Sequence, residues 1–327
     1  MNFRTLGKTG FSVSEISLGT WQVGGRWGEP FSHANADQIL NAAVDAGINF
    51  IDTADVYGDG ESEKAVGRLV RSRTERLFVA TKCGRRLQPH VADAYQPAAL
   101  RRLVEDSLRN MQLETLDLVQ LHCPPTEVYY RPEIFELFDR LREEGKVQHL
   151  GVSVEKVEEG LKAIEFANVT TVQLIFNLFR QRPPELLFKE AARRNIGLIV
   201  RVPLASGLLT GKFSPQTSFA PDDHRHFNRN GEAFDKGETF AGVDYATGLA
   251  AVEELKHAFP GQPLADIALR WILMFDEVSC VIPGASRAEQ ILCNLHAAEL
   301  PPLTSEQMQA VRDIYDRRVK PLVHHTW

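Results

Sequence analysis

The sequence predicts an α/β protein: a (β/α)8 TIM barrel with an N-terminal capping β-hairpin, a long loop after the seventh strand and an extra helix near the C-terminus. Three observations predict it. Short apolar runs alternate with amphipathic stretches of helical period, which implies a parallel sheet covered by helices. Eight such units follow one another, and that number favours closure over an open sheet. An open dinucleotide-binding sheet would need a glycine-rich turn directly after an early strand, with an acid beyond it. Gly24-Gly25 and Gly58-Asp-Gly60 lack that spacing. The 327 residues suit one barrel domain over 1–327.

The elements follow in order. Phe3 to Val13 reads as a hairpin turning at Leu6-Gly-Lys-Thr-Gly10. Ser14 to Thr20 is the first barrel strand, and a Gly/Trp-rich loop with Trp21 and Trp27 follows it. Asn35 or Asp37 caps a helix that carries Ile39, Leu40, Ala43 and Val44 on one face and ends at Gly47. The second strand runs to Asp52, followed by a loop holding Tyr57 and a helix over Ser62–Val70. Leu77–Lys82 is the third strand. Its helix, Pro97–Met111, places Leu100, Leu103, Val104, Leu108 and Met111 at helical spacing. Leu116–His122 and the helix Pro132–Glu144 come next. Then follow Gln148–Ser153 with Val157–Phe166, Thr171–Asn177 with Glu185–Asn195, and Gly197–Leu204. Ala205 to Val243 is polar and irregular. Helices near 247–258 and 263–275, the last strand Val278–Pro283, a helix from Arg287 to Ala297 and a final one over 305–318 complete the chain.

Composition bounds the function. Hydrophobic residues make up 43% and charged residues 24%, ordinary for a globular protein. The formal net charge of −6 provides no basic field for nucleic acid. Cys83, Cys123, Cys280 and Cys293 form no CxxC pair, which argues against a zinc site or a disulfide framework. Met1–Gly10 lacks the apolar core of a signal peptide. The longest apolar run, Ile196–Leu209, is broken by Arg201 and Pro203 and is no membrane span. A cytoplasmic protein is expected. No long coiled coil or exposed apolar stripe announces an oligomer.

The chemistry sits at strand ends. In such a barrel, reactive side chains occupy the C-terminal strand ends and the loops beyond them. Asp52, Lys82, His122 and Ser153 end the second to fifth strands, and Tyr57 follows the first of these. Taken singly, Asp52 also fits a turn cap and Tyr57 loop packing. Together they make a proton-transfer set without a metal cage. A free phenol has a pKa near 10, and an adjacent ammonium favours the phenolate and lowers that value. Asp52 keeps Lys82 charged, and His122 can donate to a substrate oxygen. Such a site suits carbonyl reduction, in which the hydride must come from a cofactor.

The chain resembles the aldo-keto reductase superfamily over nearly its whole length, most closely bacterial members with a Gly-Leu-Leu-Thr-Gly-Lys loop. The carrying motifs are Asn49-Phe-Ile-Asp-Thr-Ala-Asp-Val-Tyr-Gly58, Ala80-Thr-Lys82, Asp117-Leu-Val-Gln-Leu-His122, Gly151-Val-Ser153, Pro203-Leu-Ala-Ser-Gly-Leu-Leu-Thr-Gly-Lys212, and Ile282-Pro-Gly-Ala-Ser-Arg287 with Gln290 and Asn294. The resemblance implies Tyr57 as general acid, Lys82 as its activator, Asp52 as the residue holding Lys82, and His122 as the group orienting the carbonyl oxygen. It implies that Ser153 and Gln173 bind the nicotinamide carboxamide, although the Asn that often follows the serine is here Val154. Leu204, Ser206, Leu208 and Lys212 match the pyrophosphate loop. Gly284, Ser286, Arg287, Gln290 and Asn294 match the adenosine end, where many relatives carry an acid in place of Cys293.

These residues lead to an expected cofactor and reaction. Ser286 and Arg287 would open a helix whose N-terminus favours phosphate, and Arg287 can pair a 2′-phosphate. NADPH is therefore expected, with NAD possible, acting on small aldehydes or ketones. The alternatives are a sugar or polyol dehydrogenase working oxidatively, a non-catalytic nicotinamide-binding regulatory subunit, and a barrel isomerase. Trp21 matches a pocket aromatic. Trp27, Phe31, Tyr129 and the 205–243 loop are further wall candidates. His224–Arg229 either covers the cofactor phosphates or is a solvated loop. Cys83 and Cys123 read as packing near the mouth. Asp55 reads as a loop residue or a substrate contact, and His324-His325 as a docking tail rather than a metal pair.

Overall fold

The computed structural model describes residues 1–25 and 30–327; Trp27 lies outside them. Two short strands, β1 (Phe3–Thr5) and β2 (Ser12–Ser14), pair antiparallel into the predicted hairpin. Eight parallel strands follow: β3 (Leu18–Gly19), β4 (Phe50–Asp52), β5 (Phe78–Cys83), β6 (Leu116–His122), β7 (Val147–Ser153), β8 (Val169–Ile175), β9 (Gly197–Arg201) and β10 (Val278–Val281). Each pairs with its sequence neighbour. The ring closes because Ile16 bridges Val281 and Gly19 bridges Gly284, both in parallel. The Ser17 amide donates to the Val281 carbonyl at 2.9 Å. This is the expected eight-stranded barrel.

The hairpin plugs the N-terminal end. Leu6 and Val13 meet Phe50, Ala80, Leu118, Ile199 and Cys280 in a small core inside the barrel, separate from the large core between strands and helices. Arg4 donates to the carbonyls of Leu273, Phe275 and Val278 and so fastens the plug. Gly7 permits the fit: its φ is +50°, and a Cβ there would lie 2.1 Å from the Gly197 nitrogen, a position open only to glycine.

The helices lie where the periodicity predicts, with shifted ends that have local causes. The helix expected to end at Phe166 stops at Ala163, and Phe166 instead stacks on Phe135 with ring centroids 3.6 Å apart. The seventh barrel strand ends at Arg201, short of Leu204, because Val202 adopts φ +52° ahead of Pro203. The long region after β9 is more ordered than its composition suggests. It contains tight helical turns at Ala205–Thr210, His224–Phe227, Lys236–Glu238 and Phe240–Gly242. Among the described residues, no helix is long and apolar enough to cross a membrane.

Candidate active site

Strand register brings the predicted residues to one rim. Asp52 stands opposite Ala80, Lys82 opposite Gln120, His122 opposite Ser153, and Ser153 opposite Gln173. Because side chains alternate along a strand, this register points the polar set toward the axis at the C-terminal mouth.

Lys82 is the hub, with 1% of its surface exposed. Its ammonium donates to Asp52 Oδ1, to the Thr53 carbonyl at 2.8 Å and to the Tyr57 hydroxyl at 3.3 Å. Three donors meet three acceptors, so the buried cation is fully satisfied. The second oxygen of Asp52 accepts from Gln120 Nε2 at 2.9 Å and Gln173 Nε2 at 2.8 Å. With both oxygens engaged, Asp52 is a counter-ion and not a base. Burial pulls the Lys82 pKa down, but Asp52 and Tyr57 outweigh it and the net shift is upward. Lys82 therefore carries its charge through the neutral range.

One expectation fails in sign. Burial raises the pKa of the Tyr57 phenol by more than Lys82 lowers it, so the net direction is up. At Tyr57 desolvation exceeds the ammonium's pull. The phenol holds its proton and is poised as a donor. His122 is 3% exposed, and its Nδ1 has no hydrogen-bond partner among the described residues. Burial first, then Arg85, Lys82 and Arg201, push its pKa well below the ordinary histidine range, so the imidazole is neutral. The His122 ring meets Tyr57 edge-on at 6.0 Å.

The residues expected to line the mouth differ in where they lie. Trp21 stacks 6.4 Å from the Tyr57 ring and 5.0 Å from His224. Phe31 packs against Gly58, just beyond Tyr57. Tyr129 has no exposed surface and belongs to the core between strands and helices, not to a pocket wall. Segment 224–229 is only partly solvated: His224 and Asn228 are buried, while His226 and Arg229 are exposed, with Arg229 lying over the rings of Phe240 and Tyr245. Asp55 is 2% exposed, and both of its carboxylate oxygens lack a hydrogen-bond partner among the described residues. Burial and the nearby charge of Glu63 raise its pKa to about 7. Cys83 and Cys123 are buried, and burial raises both thiols, which makes them packing residues.

Sequence reasoning missed two features. Gln120, which helps to fix Asp52, left a signal in the strand Leu116–His122. Leu118, Gln120 and His122 share one face by alternation, and an uncharged amide on a barrel-facing position calls for a partner. An ion-pair network around the mouth left none. Arg85 pairs with Glu238 at 2.9 Å, Arg201 with Glu155 at 2.9 Å, and Arg201 with Glu238 at 3.8 Å. Burial raises Glu238, but Arg85 and Arg201 outweigh it and hold the carboxyl down at about 2. Burial lifts Glu155 to about 8 despite Arg201. Cys123, Glu155 and Glu238 bring donor atoms within 4.8 Å of one another. Arg85 and Arg201 already occupy Glu238, and Arg201 also engages Glu155 and donates to Cys123 Sγ at 3.5 Å. The cluster is a poor cage for a cation.

The expected cofactor residues lie on one continuous arc from β7 to the helix after β10, and they fit a dinucleotide unevenly. Ser153 Oγ donates to Gln173 Oε1 at 3.5 Å. That long contact and the orphan His122 Nδ1 leave polar atoms at the centre of the mouth that a carboxamide and a carbonyl can complete. Gln173 Nε2 is already committed to Asp52, so its Oε1 is the atom left for a carboxamide. Leu204 is half-buried and Lys212 exposed, whereas Leu208 is wholly buried and offers only its main chain. Ser206 Oγ donates to the Glu238 carbonyl and accepts from the Phe240 amide, so it serves the covering segment first. At the far end, Gln290 Oε1 accepts from the Ser286 amide at 2.7 Å, Asn294 reaches the exposed Gly284 at 3.5 Å, and Asn35 donates to the Ser286 carbonyl. The helix there begins at Glu289, not at Arg287, because Gln290 folds back onto Ser286. Arg287 is exposed; its carbonyl accepts from the Gln290 amide at 3.1 Å, and its guanidinium has no hydrogen-bond or ion-pair partner among the described residues.

Comparison with known proteins agrees with this geometry. The model of the Aldo/keto reductase family matches residues 15–316. The chain is 29% identical to the oxidoreductase YqkF of Bacillus subtilis (strain 168), covering 96% of this chain and 98% of that one. The holo structure of aldo-keto reductase AKR11C1 from Bacillus halodurans superposes with a TM-score of 0.77 at 26% identity, over 96% of each chain. The glycerol dehydrogenase AKR11B4 from Gluconobacter oxydans gives a TM-score of 0.76 at 31% identity, over 97% of this chain and 96% of that one.

Proposed function

This chain belongs to the aldo/keto reductase family and is an NAD(P)-dependent oxidoreductase, and from that premise we propose that it reduces small aldehydes and ketones to alcohols with NADPH, Tyr57 giving the proton. One observation carries the reading: a sealed, fully hydrogen-bonded ammonium on Lys82 touches both Asp52 and the Tyr57 hydroxyl. Such an arrangement stabilises a phenolate at the moment the proton leaves and costs no rearrangement then. The nicotinamide, when bound, supplies hydride to the carbonyl carbon. The chain's own part is to hold the carbonyl oxygen between Tyr57 and the neutral His122, to donate the Tyr57 proton to it, and to keep Lys82 in place to balance the charge left behind. Ser153 and Gln173 Oε1 would hold the carboxamide, main chain around Leu204–Leu208 and Lys212 the pyrophosphate, and Ser286, Arg287, Gln290 and Asn294 the adenosine.

An exposed, unpaired Arg287 favours NADPH over NADH. Arg287→Ala should weaken NADPH binding about tenfold or more, the size of one charge-assisted contact, and leave NADH unchanged. Fluorescence quenching with each cofactor checks this. The likeness to a glycerol dehydrogenase supports a second direction, oxidation of a polyol through the same groups in reverse. A panel of aldehydes, ketones, sugars and polyols, followed by NADPH absorbance in both directions with NAD as control, separates the two. Turnover in neither direction would sink the reading. A cytoplasmic setting fits the buried free thiols.

A further inference from the structure

We propose that Trp327 is a positioning residue for the cofactor site, pinning the 235–242 segment so that Glu238 bridges the strand ends and the phosphate loop. The inference rests on the cofactor reading above. Trp327 is 7% exposed, and its indole Nε1 donates to Asp235 Oδ1 at 2.8 Å. Its ring lies on the guanidinium of Arg180, whose Cζ is 3.9 Å from the centroid. Arg180 follows β8, the strand that carries Gln173, so the tail is anchored to the barrel itself.

The segment under the indole is shaped to receive it. A Cβ on Gly242, which has φ +81°, would sit 2.4 Å from the indole, and one on Gly237 would sit 2.9 Å from it. Real Cβ atoms do not approach that closely, so neither position admits a larger residue without moving Trp327. Asp235 Oδ1 also accepts from the Gly237 amide at 2.7 Å. One oxygen thus fixes both the tail and the turn Lys236–Glu238.

From that turn the connection runs to the site. Glu238 pairs with Arg85, three residues beyond Lys82, and with Arg201 at the end of β9. Its carbonyl accepts from Ser206 at 3.0 Å, and Ser206 in turn accepts from the Phe240 amide at 3.2 Å. Ser206 lies in the strained turn expected to hold the pyrophosphate, with φ +56°. A single indole therefore fixes the main chain that sets Ser206. Phe234, directly before Asp235, lies under the Arg85 guanidinium at 5.5 Å.

The test has two independent readouts. Hydrogen exchange on the cofactor-free protein should show amides of 236–242 losing protection in Trp327→Ala and, less, in Trp327→Phe. The phenylalanine keeps a ring for Arg180 but loses the Asp235 bond. Stopped-flow release of NADPH should quicken about tenfold in Trp327→Ala, matching the loss of one hydrogen bond to a charged group. The single-turnover rate at saturating NADPH should fall far less, so the change appears in KM more than in kcat. Asp235→Ala removes the acceptor itself, so it should loosen 236–242 at least as much as Trp327→Phe, and the double variant should be no worse than Asp235→Ala alone. Unchanged exchange in 236–242 or unchanged NADPH release overturns the pin. A protein that bound no NADPH would instead defeat the reading under Proposed function, and the exchange result would still decide whether the tail fixes the segment.

Discussion

The two halves of the barrel mouth are built differently. On one side, β4 to β6 present Asp52, Tyr57, Lys82 and His122 from strand ends and one short loop. Lys82 reaches Asp52 and Thr53 across one strand pair. On the other side, the region after β9 and the C-terminal tail meet through Glu238, Arg85, Arg201, Asp235 and Trp327, with partners up to 153 residues apart in sequence. The first half is set by register, which a parallel sheet fixes rigidly. The second is an assembly of ion pairs and one indole, whose geometry exists only when all members are present. Damage to the first should stop chemistry. Damage to the second should loosen binding and stability.

The largest effect belongs to the register side. Tyr57→Phe should lower reduction by about 10² to 10⁴ with NADPH binding nearly intact; retained turnover would dismiss Tyr57 as the acid. Next comes Asp52→Asn. It leaves the buried Lys82 without its counter-ion, and a broken buried pair costs about 3–5 kcal/mol. Denaturant unfolding should show that loss, and a midpoint unchanged from the parent would mean that Gln120 and Gln173 carry the site by themselves. Glu238→Gln should cost less, about 2 kcal/mol, because Arg85 keeps some contact with solvent. Its signature should be weaker NADPH binding with a smaller change in single-turnover rate, the reverse of Tyr57→Phe. If both variants changed binding and chemistry in the same proportion, the division between the halves would not stand.

A further effect, confined to stability, is a pH dependence from Asp55. Its folded pKa of about 7 lies above its unfolded value near 4. The folded chain then holds a proton that the unfolded chain has released, so stability falls as pH rises from about 4 to 7. Glu63 strengthens this trend, and Arg86 and Lys82 oppose it. Asp55→Asn removes the titration. Thermal melts should show the variant gaining on the parent by a few degrees between pH 5 and pH 8, and parallel curves would argue that a water or cation satisfies the carboxylate.

The same contrast explains what could be read beforehand. The stretch Asn49–Gly58 held an acid and a phenol whose partners sat at later strand ends. Barrel closure turns such positions into neighbours, so the tetrad was legible from spacing. The upward shift of Tyr57 was not, because desolvation depends on Trp21, His224 and the covering segment. The region 205–243 looked like a polar loop because its order comes from buried ion pairs and positive-φ turns at Ala205, Ser206 and Ala241. Neither of these produces a hydrophobic period. Gln120 stood between these cases: its place on the His122 face was readable, but its partner was not. The start of the helix after β10 moved from Arg287 to Glu289 through one side-chain bond, Gln290 to Ser286.

The hairpin at the base has a consequence for the supply of protons. Leu6 and Val13 stop the barrel from below, and above them Asp52, Lys82 and Gln120 are sealed from solvent. Every proton on the Lys82 ammonium is already engaged, and Asp52 has no free oxygen to pass one along. Among the described residues, the interior thus offers no solvent-exposed group from which a proton could enter. Under the proposed mechanism, the hydroxyl of Tyr57 would be recharged from the mouth, the same doorway that substrate and product would use. Each turnover then depends on that doorway clearing, and a solvent isotope effect on steady-state rate should follow product release more closely than bond making.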